Sequence, residues 1–156
     1  MSERLASRLW ELMLVEDSFG DALLAQEAFC AAPWPVKLSI VSDGEEALSK
    51  LRQEPPHEQQ PRPDLILLDL NLPRTSGRDV LRAIKADPAL CTIPLIVMTG
   101  SNGEDDVNDS YRLGANGYIV KPLHFERLEE ICVAIAQFWF GAAALPSIAR
   151  EDHHAA

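Results

Sequence analysis

The sequence predicts an α/β protein, a doubly wound parallel sheet of five strands with helices on both faces. Short apolar runs alternate five times with segments of helical periodicity along the 156 residues. The run at 65–68 is apolar without alternation, which is typical of a central parallel strand that is covered on both faces. Strict alternation of strand and helix favours parallel pairing, because each helical crossover returns the chain to the same end of the sheet.

The ten elements follow one another in order. Asp43 suits an N-cap and has Glu46 three residues later, so a helix begins there. Pro33 closes the preceding helix, and four prolines make 54–63 a surface loop. The predicted strands are residues 12–15, 36–41, 65–68, 94–98 and 117–120. The predicted helices are residues 18–32, 43–53, 78–86, 104–113 and 124–140. The chain divides into an N-terminal segment 1–9, one domain over 10–140 and a C-terminal extension 141–156.

Composition excludes several classes of function. The chain has 14 Lys and Arg against 24 Asp and Glu, a net charge of −10, which repels nucleic-acid phosphates and anionic lipid and favours a cation. Three scattered cysteines argue against a disulfide framework. The N-terminus lacks the apolar core of a signal peptide. The uncharged stretch 131–149 is interrupted at Gly141 and Pro146, which favours a helix end over a membrane span. We expect a cytoplasmic protein.

Chemically active side chains follow four of the five strands, at the ends that a parallel sheet brings to one edge. These are Glu16 and Asp17 after the first strand, Asp69 and Asn71 after the third, Thr99 after the fourth and Lys121 after the fifth. We therefore expect three carboxylates, one hydroxyl and one ammonium in one pocket. Simpler interpretations exist, because Glu16 and Asp17 also suit a helix N-terminus and a threonine hydroxyl often only satisfies a neighbour.

Asp69 is the residue on which the chemistry depends. It follows four buried aliphatic residues, where a lone charge is costly unless it is neutralised. Lys121 ends another apolar run, and its ammonium would neutralise the Asp69 carboxylate. This pairing could be purely structural. Alternatively, Mg²⁺ could be held by Asp17, Asp69 and a backbone carbonyl, and Glu16 would hold a water bound to the metal. A phosphoryl group on Asp69 would then face the metal, Thr99 and Lys121, which are the elements of phosphoryl transfer.

Four motifs in this order resemble those of the receiver domain of two-component response regulators. They are LVEDS at 14–18, LLDLNLP at 67–73 followed by Gly77, MTGS at 98–101 and GANGYIVKP at 114–122. The resemblance covers roughly residues 10–140 and implies the flavodoxin-like (βα)5 fold of CheY-like receivers. The proline-rich insertion at 54–63 and the FWF ending at 138–140 resemble more particularly the stand-alone regulators that partner phytochrome histidine kinases.

The resemblance implies a role for each residue of the pocket. Asp69 would be the phosphoacceptor and Lys121 would contact the phosphoryl group. Thr99 and Tyr118 would form a switch pair, with the Tyr118 ring turning from solvent to the interior on phosphorylation. The metal, Mg²⁺ or Mn²⁺, would be held by Glu16, Asp17, Asp69 and the Asn71 main-chain carbonyl. The chain would be no enzyme but a single-domain regulator that a sensor histidine kinase, here of the phytochrome type, phosphorylates.

The end of the fifth predicted helix carries more apolar residues than one face of a sheet can cover. Residues at helical spacing between Phe125 and Ile135 suffice for the sheet, and further residues widen the apolar stripe. These are Val133, Ala134, Phe138, Trp139 and Phe140. A large exposed apolar patch usually marks an interface, so we predict a homodimer through helix five and the extension. The alternative is that the tail folds back on its own domain.

Three other functions use the same kind of sheet. An aspartate-nucleophile phosphohydrolase needs a second Asp as its acid, two residues after the first, where this chain has Asn71. A flavin or nucleotide domain needs a glycine-rich turn after strand one, which EDSFG at 16–20 does not supply. The third is a receiver-like interaction module that is not phosphorylated, which labelling of Asp69 would distinguish. His153 and His154 lie in a polar tail and are expected to be solvated.

Overall fold

The computed structural model describes residues 8–146 and confirms the predicted sheet. The strands are β1 (Trp10–Val15), β2 (Val36–Val41), β3 (Leu65–Leu68), β4 (Leu95–Thr99) and β5 (Gly117–Val120). All neighbours are parallel, in the order β2-β1-β3-β4-β5, so the strand order reverses between β1 and β3. β1 begins two residues earlier than predicted, because Trp10 pairs with Val36 on β2.

Five helices connect and follow the strands, as predicted. They are α1 (Phe19–Phe29), α2 (Gly44–Leu51), α3 (Gly77–Ala86), α4 (Glu104–Arg112) and α5 (Phe125–Ala136). Polar caps set three of the starts: Ser18, Asp43 and Ser76 each accept a hydrogen bond from a backbone N–H of the first turn. The prediction for α1 was three residues too long, since the chain after Phe29 continues as turns.

Two apolar layers sandwich the sheet. α1 and α5 contact each other on one face, and α2 and α3 contact each other on the opposite face. β3 lies at the centre with all four residues buried, which explains its unbroken apolar sequence. Apolar layers on both faces hold the strands rigidly, so the side chains at their carboxyl ends keep fixed positions.

The end of α5 corrects one prediction. The chain continues past Ala136 as π-helical turns over Gln137–Ala142. Phe140 was predicted to widen the exposed stripe, but it is buried and stacks on Trp10 with ring centroids 4.8 Å apart. Phe138 is 56% exposed, as expected for a stripe residue. This part of the tail therefore packs on its own domain, which was the alternative to an interface.

The remaining segments complete the description. The proline-rich segment 54–63 contains neither helix nor strand, as predicted. Within residues 8–146, no helix is long and apolar enough to cross a bilayer. Segments 1–7 and 147–156, with His153 and His154, lie outside the described residues.

Candidate functional site

Main-chain hydrogen bonds align the ends of four strands, β1 with β3 and β4 with β5, at the carboxyl edge of the sheet. The Asp69 N–H donates to the Val15 carbonyl at 3.0 Å, and the Lys121 N–H donates to the Thr99 carbonyl at 2.8 Å. These bonds extend the parallel ladders by one residue, so the side chains that follow each strand share one edge. Glu16, the residue after Val15, is buried at the same edge. The predicted convergence of these residues is present.

The Lys121 ammonium lies at the centre of the site. Its Nζ is 2.8 Å from Asp69 Oδ2 and 2.9 Å from Asp21 Oδ2, and it also donates to Glu16 Oε1. The pairing of Lys121 with Asp69 was predicted, whereas the contact with Asp21 was not. Asp21 lies in the first turn of α1, where an acidic residue is ordinary, so nothing in the sequence distinguishes it.

The second carboxylate oxygen of Asp69 is held by two donors. Asp69 Oδ1 accepts from the Thr99 hydroxyl at 2.8 Å and from the Asn71 N–H at 3.0 Å. Thr99 is completely buried, so its hydroxyl has a fixed direction. The chain also passes close to the Asp69 backbone, because a Cβ on Gly77 would lie 2.4 Å from the Asp69 main-chain oxygen. Only glycine fits at that position.

Burial and charge shift the pKa values of both carboxyl groups. Burial and the adjacent Asp69 carboxylate raise the pKa of Glu16 from 4.5 to about 7, although Lys121 opposes the shift. Burial also disfavours ionisation of Asp69, but its hydrogen bonds with Glu16, Lys121, Asn71 and Thr99 outweigh burial and lower the pKa of Asp69. Burial disfavours the Lys121 ammonium, and its three carboxylate partners outweigh this and raise the pKa of Lys121. Asp69 is therefore the ionised carboxylate of the pair.

The donor set fits a divalent cation. Glu16 and Asp69 bring two carboxyl groups together, and Asp21 adds a third carboxylate to the single Lys121 ammonium. Asp17 is exposed and makes no ion pair with the described part of the chain. Among residues 8–146, no three acidic, histidine or cysteine side chains are already gathered at metal-binding distances. A hard cation with oxygen ligands would draw the exposed Asp17 towards the buried pair.

The predicted switch residues have definite positions. Tyr118 is half-buried beside the α2–α3 layer, and its hydroxyl donates to the Ser101 main-chain carbonyl at 2.8 Å. The ring was predicted to face solvent before phosphorylation and the interior afterwards, and the structure has the inward arrangement. The Thr99 hydroxyl is already directed at Asp69. A Cβ on Gly100 would contact nothing within 4 Å, so the chain beside Thr99 leaves the site open.

Comparison with known proteins identifies the family. The family model of the response regulator receiver domain matches residues 12–133. This chain belongs to the response regulator receiver family. It is similar to response regulator Rcp1 of Synechocystis sp., with 43% identity over 136 residues, which are 87% of this chain and 92% of that protein.

Two solved structures of response regulators are similar to this receiver over nearly their whole length. The phosphorylated cyanobacterial phytochrome response regulator RcpA has a TM-score of 0.85 and 45% identity, covering 90% of this chain and 100% of RcpA. The Mn²⁺-bound form of Rcp1 has a TM-score of 0.82 and 42% identity, covering 88% of this chain and 99% of Rcp1. The CheY-like receiver fold and the response-regulator interpretation of the sequence are therefore confirmed.

Proposed function

We propose that this receiver accepts a phosphoryl group on Asp69 from a histidine kinase and thereby switches a protein-binding face. The buried, ionised Asp69 carboxylate, fixed by Lys121, Thr99 and the Asn71 N–H, is the observation that carries the proposal. In the transfer, the P–N bond to the kinase histidine breaks and a P–O bond to an Asp69 oxygen forms. The histidine nitrogen keeps the bonding electron pair.

Lys121 and Thr99 act on the phosphoryl group after it arrives. The Lys121 ammonium and the Thr99 hydroxyl already contact different carboxylate oxygens of Asp69. Each would therefore contact one of the new phosphoryl oxygens. The chain has Asn71 where a phosphohydrolase needs its acid, so the receiver acts as a substrate and not as an enzyme. A second rival, the unphosphorylated interaction module, predicts no labelling of Asp69, and the labelling experiment below distinguishes it.

Mg²⁺ is the proposed cofactor, with Mn²⁺ as its substitute. When bound, the metal neutralises negative charge between the carboxylates and the incoming phosphoryl oxygens. The proposed ligands are Glu16, Asp17, Asp69 and the Asn71 main-chain carbonyl. The three carboxylates that share the single Lys121 ammonium support a cation at this position. The Mn²⁺-bound form of Rcp1 is a further support.

A phytochrome-type histidine kinase is the proposed partner. RcpA is a phytochrome response regulator, and a receiver with 31% identity, RPA3017, acts in red light signalling. Exposed apolar side chains flank the Lys121 side of the site, with Phe19 and Leu24 on α1 and Leu123 after β5. These residues, of which Leu123 is 97% exposed, favour a protein donor that covers them during transfer.

We extend the proposal to a homodimer formed through α5 and the extension. A groove of about 550 Å³ between β5 and α5 has Tyr118 at one side and Phe138 and Trp139 at the other. Exposed Phe138 suits a dimer contact, and the groove includes the switch residue Tyr118. Phosphorylation would then tune the dimer. We take residues 10–140 as the receiver domain, 1–9 as an N-terminal segment and 141–156 as the extension.

Phosphorylation is tested by Mg²⁺-dependent labelling with acetyl phosphate. We expect the wild type and the control Asp79→Asn, which changes an exposed aspartate on α3, to be labelled. Asp69→Asn should lose all labelling and keep its circular dichroism spectrum. Labelling of Asp69→Asn at another residue would contradict the assignment. Transfer from a phosphorylated phytochrome kinase to the same three proteins tests the partner.

The dimer is tested by sedimentation of the full chain at tens of micromolar. Phe138→Glu should give a monomer, whereas Leu23→Glu, which changes an exposed apolar residue on α1, should remain a dimer. Point substitution is preferable to truncation at Gln137, because truncation removes the buried Phe140. A wild type that is monomeric with and without beryllofluoride would exclude the dimer.

A further inference from the structure

The segment between β4 and α4 links the switch tyrosine to a set of polar groups outside the phosphorylation site. This segment, residues 100–103, carries the Ser101 carbonyl that accepts the Tyr118 hydroxyl. On the other side of the same residue, the Ser101 hydroxyl donates to Asp106 Oδ2 and accepts from the Gly103 N–H at 3.3 Å. Any movement of Asp106 would therefore move the oxygen that holds Tyr118.

The start of α4 has no side-chain cap, and the Ser101–Asp106 pair is what ties the preceding residues to it. Gly103 is the N-cap and has no side chain to satisfy the exposed N–H groups. Ser101 and Asp106, one before and one inside the helix, instead join the segment to the first turn of α4 through their mutual hydrogen bond. The conformation of the segment is thus set by side chains and is not fixed by the helix itself.

Arg78 on α3 holds Asp106 from outside the segment. Its guanidinium donates to Asp106 Oδ1, and its second terminal nitrogen lies 3.1 Å from Asp109 Oδ2, one turn further along α4. The Ser101 hydroxyl and the Arg78 charge both lower the pKa of Asp106, which is consistent with an ionised partner. Arg78 also follows Gly77, which is packed against the Asp69 main chain. It therefore connects the phosphoacceptor loop to the start of α4.

We infer that Arg78 is a positioning residue for phosphorylation. Through Asp106 and Ser101, it holds residues 100–103 where the Ser101 carbonyl binds Tyr118 and the Thr99 hydroxyl is directed at Asp69. The inference rests on the proposed function, since it concerns the same site. The Arg78–Asp106 contact favours the conformation of residues 100–103 that suits the phosphoryl group. Removal of the contact lowers the population of that conformation, and it lowers the apparent affinity of a ligand that requires it by the same factor.

Removal of the Arg78 charge tests the inference. Arg78→Gln is compared with Arg82→Gln, which changes an arginine of the same helix whose one ion pair within residues 8–146 is with exposed Asp79. All groups of the Arg78 pairs are about one-third exposed, so their contribution is modest. We expect Arg78→Gln to weaken Mg²⁺-dependent beryllofluoride binding, measured by calorimetry, about three- to tenfold. Arg82→Gln should bind as the wild type, and Arg78→Lys should recover part of the loss.

A second measurement isolates the route through Tyr118. The chain has two tyrosines, so ring-labelled NMR resolves Tyr118 from exposed Tyr111, and Arg78→Gln should shift the Tyr118 signals in the metal-free protein. In a Tyr118→Phe background, which lacks the hydroxyl but keeps Thr99, Arg78→Gln should have a smaller effect on beryllofluoride binding than in the wild type. Equal behaviour of Arg78→Gln and Arg82→Gln, or an undiminished effect in Tyr118→Phe, would overturn the inference. A wild type that takes neither acetyl phosphate nor beryllofluoride would instead refute the proposed function, and the tyrosine spectra would still test the role of Arg78.

Discussion

Replacing Glu16 with glutamine should stabilise the metal-free protein at pH 8. The Lys121 ammonium faces three carboxylates, Glu16, Asp69 and Asp21, so the site has an excess of negative charge. The pKa of Glu16 rises from 4.5 to about 7 mainly through burial and the contact with Asp69. Each pKa unit is equivalent to about 1.4 kcal/mol, so ionising Glu16 in the folded state costs at most about 3 to 4 kcal/mol. Glutamine resembles the protonated side chain and avoids this cost.

The sign of the pH dependence follows from the same shift. Between pH 4.5 and about 7, the folded state keeps a proton on Glu16 that the unfolded state has lost. The free energy of unfolding therefore falls as the pH rises through this window, and the full loss is present above pH 7. Glu16→Gln has no such proton, so its advantage should be largest at pH 8 and absent near pH 4.5.

Urea denaturation in the presence of a chelator, at pH 5, 6, 7 and 8, measures this effect. We expect Glu16→Gln to be about 2 to 3 kcal/mol more stable than the wild type at pH 8. The control Asp21→Asn removes a partly exposed partner of Lys121 and should change stability by less than about 1 kcal/mol. Added Mg²⁺ should stabilise the wild type more than Glu16→Gln, because it binds the ionised carboxylate. A variant less stable than the wild type at pH 8 without metal would show that Lys121 outweighs the repulsion and would refute the reasoning.

Three further substitutions test the structure at other points. Phe140→Ala should lower the free energy of unfolding in urea by about 3 to 5 kcal/mol, because it empties the space beside Trp10. Gly141→Ala should cost about 1 to 3 kcal/mol in the same assay, since its Cβ would lie 2.6 Å from the Trp34 ring. Thr99→Val should keep the fold by circular dichroism and lose about ten- to a hundredfold in beryllofluoride affinity by calorimetry, because Asp69 Oδ1 loses its hydroxyl donor.

The fold and the core of the site could be predicted from the sequence because their signals are local. The unbroken apolar run of β3 indicates burial on both faces, and the polar residue after each strand must lie at the common edge of a parallel sheet. Asp69, Thr99 and Lys121 were found in this way, and they are in contact. Their convergence needs only topology, not the details of packing.

Contacts between charged residues that are distant in the sequence could not be predicted. Asp21 on Lys121 and Arg78 on Asp106 join residues that are 100 and 28 positions apart. Charged residues are frequent on exposed helix faces, and periodicity shows only that a face is exposed, not which opposite charge it meets. The same is true of the ionisation of Glu16, which depends on how deeply the carboxyl lies beside Asp69.

The burial of Phe140 shows why the apolar stripe at the end of α5 was overestimated. The buried residues Cys132, Ile135, Ala136 and Phe140 follow one another at helical spacing, so the sequence does place Phe140 on the inner face. The error arose in β1, which was predicted to begin at Leu12 and therefore lacked Trp10, the ring on which Phe140 stacks. Trp10, at the start of β1, thus provides the surface that covers Phe140. An interface that uses this end of the molecule must therefore be formed by Phe138 and the groove along β5, which is a smaller and more specific contact than the whole aromatic run.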